Sequence, residues 1–382
     1  MLGSRKLLYS IFMACTLSMS VVFTSMQVNS VFAEPNFGAA GDWGCGSNAG
    51  KTVSNIRSHS SPERVFALGD YSYLEEGSSS DDCWLNIISA IKSRTRITIG
   101  NHEDDSNEGF SSYMSSFGLS STFYAFTYGN VRFIVMDSDR NSFSSGSPQK
   151  SFVQSQLQSA SQNSAIKFIV VYIHKPFYTS PNTCDSSGCT NGGSTATSLR
   201  NNYHAMFDQY GVDVVLAGHV HNYQRTFPIK YDSGSPESPT RTSTATQDYF
   251  DPVGQIYVIV GTGGEGFFGL GGKPYFVANQ QDDRFGALDI NIENNGYTLA
   301  GRYYTNDGVK RDVFKITKTG TAQYNFGPSL SLSGEATTSL TPDDNIQSQN
   351  GPNNGIFPGK INGQGEGLSC EHFKNQGPMR CR

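Results

Sequence analysis

Charge is scarce in this chain. Asp, Glu, Lys and Arg make up 16% of its 382 residues, and the net charge at pH 7 is -5. No basic run occurs, so the clustered Lys and Arg that neutralise a phosphate backbone are missing and nucleic-acid binding is not expected. Cys-x-x-Cys pairs are absent, which removes the usual framework of a structural zinc site. No internal repeat is evident, which excludes a solenoid. After Glu34 no apolar run is long enough to cross a bilayer.

What is present suits a globular, extracytoplasmic protein. Hydrophobic residues make up 36% and aromatics 12%, enough for a sizeable core. Residues 1–33 read as a secretory signal: Arg5 and Lys6 give a positive start, residues 7–23 are largely apolar, and Val31-Phe32-Ala33 ends on a small residue. The mature chain then begins at Glu34. The alternative is an uncleaved anchor, although an apolar run of roughly 17 residues is at the short limit for spanning. If the signal is cleaved, no stable membrane insertion follows. Cys15 lies in the signal, and six cysteines remain: Cys45, Cys83, Cys184, Cys189, Cys370 and Cys381. An even number suggests disulfides. The simplest pairing is Cys45–Cys83, Cys184–Cys189 and Cys370–Cys381, and only geometry can choose.

Three short apolar runs, residues 37–40, 65–68 and 96–99, end in Gly-Asp, Gly-Asp and Gly-Asn, with helical stretches near 49–58 and 82–93 between them. That is the pattern of parallel strands with helical crossovers, whose ligands collect beyond the strands' carboxyl ends. A hairpin over 122–128 and 130–136, a helix opened by Ser147-Pro148, a strand over 166–173, a helix over 196–210 stopped by Gly211, and a strand over 212–217 follow. From Gln255 onward four antiparallel strands (256–260, 287–292, 297–304, 312–317) are punctuated by Asn294-Asn295-Gly296 and Asn306-Asp307-Gly308. The order fits an α/β fold, a four-layer sandwich of two mixed β-sheets face to face and flanked by helices. Residues 34–325 form the expected catalytic domain, 231–251 a long polar rim or lid, and 326–382 a polar, low-complexity tail.

Five metal-ligand signatures arrive in order: Gly41-Asp42-Trp43-Gly44, Gly69-Asp70-Tyr71-Ser72-Tyr73, Gly100-Asn101-His102-Glu103, His174 after Ile173, and Gly218-His219-Val220-His221. Each closes an apolar run. Glycine lets the chain turn sharply there, and the next residue presents an oxygen or nitrogen donor. Carboxylate, amide and imidazole donors suit hard or borderline metals. Seven candidate ligands are too many for one tetrahedral ion and fit two ions sharing a bridging carboxylate, the arrangement that clamps a phosphate and activates water.

These signatures resemble the calcineurin-like metallophosphoesterase superfamily. Tyr73, three residues past Asp70, resembles the purple acid phosphatases, as do Tyr223-Gln224-Arg225, Tyr128-Gly129-Asn130-Val131-Arg132-Phe133 and Gly261-Thr262-Gly263-Gly264. The resemblance covers residues 37–318. With no fibronectin-like domain before the catalytic part, the small single-domain forms are the expected kin. The resemblance implies a ferric ion on Asp42, Tyr73 and His221, a divalent ion (iron, zinc or manganese) on Asn101, His174 and His219, and Asp70 bridging them. It implies a secreted or cell-surface enzyme, an acid phosphatase that hydrolyses small phosphomonoesters by in-line attack of metal-held hydroxide, with an acidic optimum. A phosphodiesterase or nucleotidase shares the ligand set, and an inactive surface binding module is the reading from another class.

His102 is the expected catalytic residue, near the substrate oxygens; its other reading is a hydrogen bond that orients a ligand. Plant-type members carry further histidines just after the His174 position. Here residues 175–184 hold none, so His102, which in the family stabilises the transition state or protonates the leaving group, inherits more of that burden. Glu103 replaces an Asp of many relatives and reads as a support for the ligands. Arg225 has two readings, a substrate-phosphate contact or a brace for Tyr223. Lys175 is either a phosphate contact or a rim charge. Trp43 and Tyr71 pack beside the site or form an aromatic wall. His59, His204 and His372 lie away from any signature, and Asp104, Asp105 and Glu108 read as a solvated acidic loop.

Overall fold

The three apolar runs that end in Gly-Asp, Gly-Asp and Gly-Asn set the geometry of everything else. In the computed structural model they are β1 (Asn36–Ala40), β2 (Arg64–Ala67) and β3 (Thr95–Ile97), hydrogen-bonded in parallel. The structure describes residues 34–59, 62–73, 80–104, 107–180 and 193–319. The signal segment, the polar tail, His372, Asp105, and Cys184, Cys189, Cys370 and Cys381 lie outside them.

The crossovers are α1 (Ser47–His59) and α2 (Ser80–Ile87); α3 (Asn101–Asp104) and α4 (Asn107–Ser116) follow β3. Next come the hairpin of β4 (Tyr124–Tyr128) and β5 (Val131–Val135), then α5 (Pro148–Gln162) and β6 (Phe168–Tyr172). The start of α5 is written locally. The Ser147 side chain accepts from the Lys150 N–H at 3.3 Å, and Pro148 occupies the first turn, where no intrahelical donor is needed. The expected helix over 196–210 is three pieces: α6 (Gly193–Leu199), a π-helical turn (Arg200–His204), and α7 (Ala205–Tyr210). It ends at Gly211, whose φ of 70° suits a residue without Cβ.

Strands β7 (Val214–Ala217), β8 (Tyr223–Thr226), β9 (Ile229–Lys230), β10 (Thr240–Arg241), β11 (Asp248–Phe250), β12 (Ile256–Val260), β13 (Val277–Gln281), β14 (Gly286–Glu293), β15 (Thr298–Thr305) and β16 (Lys310–Thr317) complete the chain. Two seven-stranded mixed sheets result, ordered β11-β16-β15-β14-β1-β2-β3 and β13-β8-β12-β7-β6-β5-β4. The second carries its own parallel run, β5, β6, β7 and β12.

One apolar cluster joins the sheets' facing sides. Phe66 of β2 shows the packing, with its ring 5.5 Å from Phe37, 4.7 Å from Phe133 and 5.2 Å from Tyr172. Truncating such a ring to Ala costs about 3–5 kcal/mol. A second cluster seats α5, α6 and α7 on the outer face of one sheet, and a third seats α1, α2 and α4 on the outer face of the other. The expected four-layer α/β sandwich is therefore present.

Two local expectations change. Residues 231–251 are not an open polar lid: β10 pairs with β9, and β11 adds a parallel edge strand beside β16 with Tyr249 buried. Backbone pairing and one buried ring were enough to order a polar stretch. The acidic stretch after Asn101 is helical where described, because α4 carries Tyr113 and Met114 into the cluster around Trp84.

Candidate metal centre

The loops after β1, β2, β3, β6 and β7 converge at one edge. They are zipped by backbone bonds: Asp42 N–H to Gly69 O (3.0 Å), Trp43 N–H to Asp70 O (2.9 Å) and Gly218 N–H to His174 O (2.9 Å). Glycines permit the approach. A Cβ on Gly100 would lie 2.2 Å from Asp70 Oδ1, and one on Gly69 would lie 2.4 Å from His174 Nδ1. Four of the seven expected ligands, Asp42, Asp70, Tyr73 and His219, have φ between 54° and 67°. Non-glycine residues avoid that region unless the surroundings hold them there, and such strain gathers at functional sites.

The seven side chains meet in two groups. Ligand atoms of Asp42, Asp70 and His221 lie within 4.8 Å of one another, and so do those of Asp70, His174 and His219; Asp70 belongs to both. The Tyr73 hydroxyl sits in the first group, 3.0 Å from Asp42 Oδ1, 3.1 Å from Asp70 Oδ2 and 2.9 Å from His221 Nε2. Asn101 Oδ1 sits in the second, 3.2 Å from His174 Nε2. Asp42, Asp70, His174, His219 and His221 are all buried.

The donor chemistry fits cations. His174 Nδ1–H donates to Leu68 O at 2.8 Å, and His221 Nδ1–H donates to Gly266 O at 2.6 Å. Each bond fixes the tautomer that turns an Nε2 lone pair inward. A neutral His174 then aims that lone pair at the oxygens of Asp70 and Asn101, both 3.2 Å away. One phenolic proton on Tyr73 likewise cannot serve the three acceptors around it. Asp42 Oδ2 is buried with no hydrogen-bond partner among the described residues. Lone pairs pointed at lone pairs in a dry site need a positive charge between them.

The electrostatics agree. Burial alone would lower the His174 imidazole, but the Asp70 carboxylate raises it to about 10. Burial alone would raise the Asp70 carboxyl, yet His174 holds it far below the usual range. Burial, with the charges of Asp42 and Asp70, pushes the Tyr73 phenol well above its ordinary value. A proton on His174 thus does part of what a cation would do, and a phenolate at Tyr73 needs a cation beside it.

His102 is exposed at the mouth, its ring 4.1 Å from that of Tyr73 and its backbone N–H on Asp70 Oδ1 at 3.0 Å. Glu103 is buried beneath. Its carboxylate accepts from the N–H groups of Asp70 (2.9 Å), Tyr71 (2.7 Å) and Gly100 (2.8 Å), tying two ligand loops together. Lys175 pairs with Asp139. Trp43 and Tyr71 have no exposed surface, which leaves the packing reading.

Arg225 requires correction as a substrate contact. It is 1% exposed, and its guanidinium grips Asp312 through Nε (2.6 Å) and Nη2 (2.9 Å) while Nη1 reaches Tyr249. The same Asp312 accepts from the Tyr223 hydroxyl at 2.7 Å. A guanidinium enclosed and occupied in this way is a brace. Sequence reading also missed Phe268, whose ring lies flat on His221 at 4.0 Å and whose N–H donates to His221 O. No signal in one sequence marks it, because the contact joins distant loops.

A family model described as Calcineurin-like phosphoesterase matches residues 35–223. The chain resembles the calcineurin-like phosphoesterases. An uncharacterised Mycobacterium tuberculosis protein is 30% identical over 191 residues, covering 43% of this chain and 34% of that protein. The Fe(3+)-Zn(2+) purple acid phosphatase 12 of Arabidopsis thaliana is 26% identical over 302 residues, covering 72% of this chain and 61% of that protein. The match thus spans from about a third to three fifths of these relatives' length. Among solved structures, a purple acid phosphatase from yellow lupin (Lupinus luteus) seeds superposes with a TM-score of 0.66 at 20% identity, covering 79% of this chain and 58% of that one. The two-sheet architecture is therefore that of this phosphoesterase fold. No described helix is long and apolar enough to cross a membrane.

Proposed function

We propose that this chain is a dinuclear-metal phosphatase of the purple acid type, acting on small phosphomonoesters outside the cytoplasm. The observation that carries the reading is the sharing of Asp70 between two ligand groups. Asp42, Tyr73 and His221 would hold a ferric ion, Asn101, His174 and His219 a divalent iron, zinc or manganese, and Asp70 would bridge them. The phenol among carboxylates supports the ferric side, since hard oxygen donors suit a hard cation. The Arabidopsis relative with an Fe(3+)-Zn(2+) centre is in keeping with that assignment. When bound, two such ions polarise phosphoryl oxygens and supply a nucleophilic water below neutral pH.

This chain's own residues do the rest. Water attacks phosphorus in line, the ester P–O bond breaks, and the leaving oxygen takes a proton. His102 is the residue we assign to deliver it, because it is an exposed imidazole at the mouth, above Tyr73. Glu103 fixes the backbone that carries Asp70 and Asn101. Residues 34–325 constitute the catalytic domain in this reading. The Cys45–Cys83 bridge is in keeping with an oxidising, extracytoplasmic compartment.

Metal analysis joined to an absorption spectrum tests the proposal. Two ions per chain are expected, with a visible phenolate-to-iron band that Tyr73→Phe abolishes. A colourless, fully active protein without iron would overturn the purple assignment and leave the phosphoesterase one. Faster turnover of diesters than of monoesters would overturn the substrate class, and a pH optimum above about 8 the acid type.

A further inference from the structure

We propose that the Cys45–Cys83 disulfide is a redox-labile clamp on one half of the metal centre, the half formed by Asp42, Tyr73 and His221. The inference rests on the dinuclear reading above.

Cys45 lies three residues beyond Asp42, in the loop after β1, and Cys83 lies in α2, the first described element after the loop that carries Asp70 and Tyr73. Their Cα atoms are 5.9 Å apart, inside the usual span of a disulfide. Cys83 packs against a cluster that holds an aromatic stack, whose members are each one residue from a ligand or a bridged cysteine. Trp43 follows Asp42, Tyr71 follows Asp70, and Trp84 follows Cys83. Trp84 lies flat on Tyr71 at 4.0 Å and meets Trp43 edge-on at 5.9 Å. Together with the two backbone bonds between the loops, this makes the loops after β1 and β2 a single body.

That body has strain to hold. Asp42, Asp70 and Tyr73 all sit in the left-handed region, which a non-glycine residue keeps only if its surroundings over-determine it. The loops that carry Asn101, His174 and His219 are held by hydrogen bonds such as His174 Nδ1–H to Leu68 O, whereas the Asp42 and Tyr73 loops add a covalent tie. Both cysteines are half-buried, so the bond lies close to the surface. The chemistry is thiol–disulfide exchange. A dithiol attacks one sulfur, forms a mixed disulfide, and leaves as a cyclic disulfide; it loses two electrons, and Cys45 and Cys83 become two thiols.

The experiment compares three forms of the full chain: oxidised wild type, wild type reduced with a dithiol and then freed of it under anaerobic conditions, and the Cys45→Ser/Cys83→Ser variant. Bound iron, zinc and manganese are counted during competition with a chelator, alongside the visible band and the thermal unfolding curve. The expected result is two ions in the oxidised protein. In the other two forms one ion should be released at a chelator concentration at least about tenfold lower, with loss of the visible band, while the second ion and cooperative unfolding persist. Reoxidation should restore the wild type. Unchanged release of both ions would overturn the clamp and leave the metal site standing. Loss of both ions together with the cooperative transition would make the bridge a general staple and overturn the selective role. An oxidised wild type that binds no metal would overturn the dinuclear reading, and the clamp with it.

Discussion

His174 and His204 are both sealed from water, and their surroundings drive them in opposite directions. His174 faces Asp70 and Asn101 across the loops of two sheets, and the carboxylate overrides burial to raise its imidazole to about 10. His204 sits in the π-helical turn, with Nδ1 2.8 Å from the Tyr178 hydroxyl and Asp208 at 3.8 Å on its other side. There burial dominates and lowers the imidazole to about 3. The difference shows that burial alone does not make a histidine functional. A site arises where several unneutralised donors are held together, whereas His204 has one hydroxyl on Nδ1 and is otherwise packed among the rings of Tyr178, Tyr231 and Tyr257.

The largest test of this contrast removes the shared carboxylate. Asp70→Ala should lower phosphatase turnover at least about a thousandfold and release metal from both groups, as read by turnover and metal analysis on the same sample. Metal retention at two ions per chain would break the idea that Asp70 joins the groups.

Removing a charge from a strut should act on stability instead. Arg225→Met leaves the Asp312 carboxylate without its guanidinium, and breaking a buried pair in this way costs about 3–5 kcal/mol. Denaturant midpoints should show that loss while KM for a phosphomonoester stays at the wild-type value. A raised KM with unchanged stability would restore the substrate-contact reading.

The two histidines also differ in their effect on pH stability. The folded pKa of His204 is depressed below its unfolded value, so protonation favours the unfolded chain. Its stabilising contribution is complete above about pH 6.5 and is lost as pH falls toward about 3, at ~1.4 kcal/mol per pH unit. His204→Phe should flatten that part of the stability profile, measured by urea unfolding at a series of pH values. An unchanged slope would mean that His204 is not the group being protonated.

The smallest effect is expected at the mouth. His102→Ala should lower kcat about a hundredfold, with both metals and the unfolding midpoint retained. A poor leaving group should suffer more than a good one, because only the poor one needs the proton. An equal loss on both would assign the His102 ring to packing on Tyr73 rather than to proton transfer.

Much of the site was legible because its parts are local. A glycine after a buried strand, followed by an oxygen donor, reads the same in sequence and in space, and Asp42, Asp70 and Asn101 were found that way. The four-layer fold was legible from strand runs with hairpin turns at Asn294-Asn295-Gly296 and before Gly308. Other features were not. Strands β8, β10, β11 and β13 are short and polar, and they exist through pairing with distant strands. The Arg225–Asp312 pair and the Phe268–His221 stack join residues far apart in the chain, so no spacing rule points to them.

The sequence by itself determined which donors exist and that each stands at the end of a strand, since period, glycine and residue type are local properties. Tertiary structure decided how the donors divide into two groups around Asp70, that Cys45 meets Cys83, and that Arg225 braces Asp312. Those outcomes depend on which loops are brought within a few ångströms by packing two sheets. That is a property of the whole core and of no segment alone.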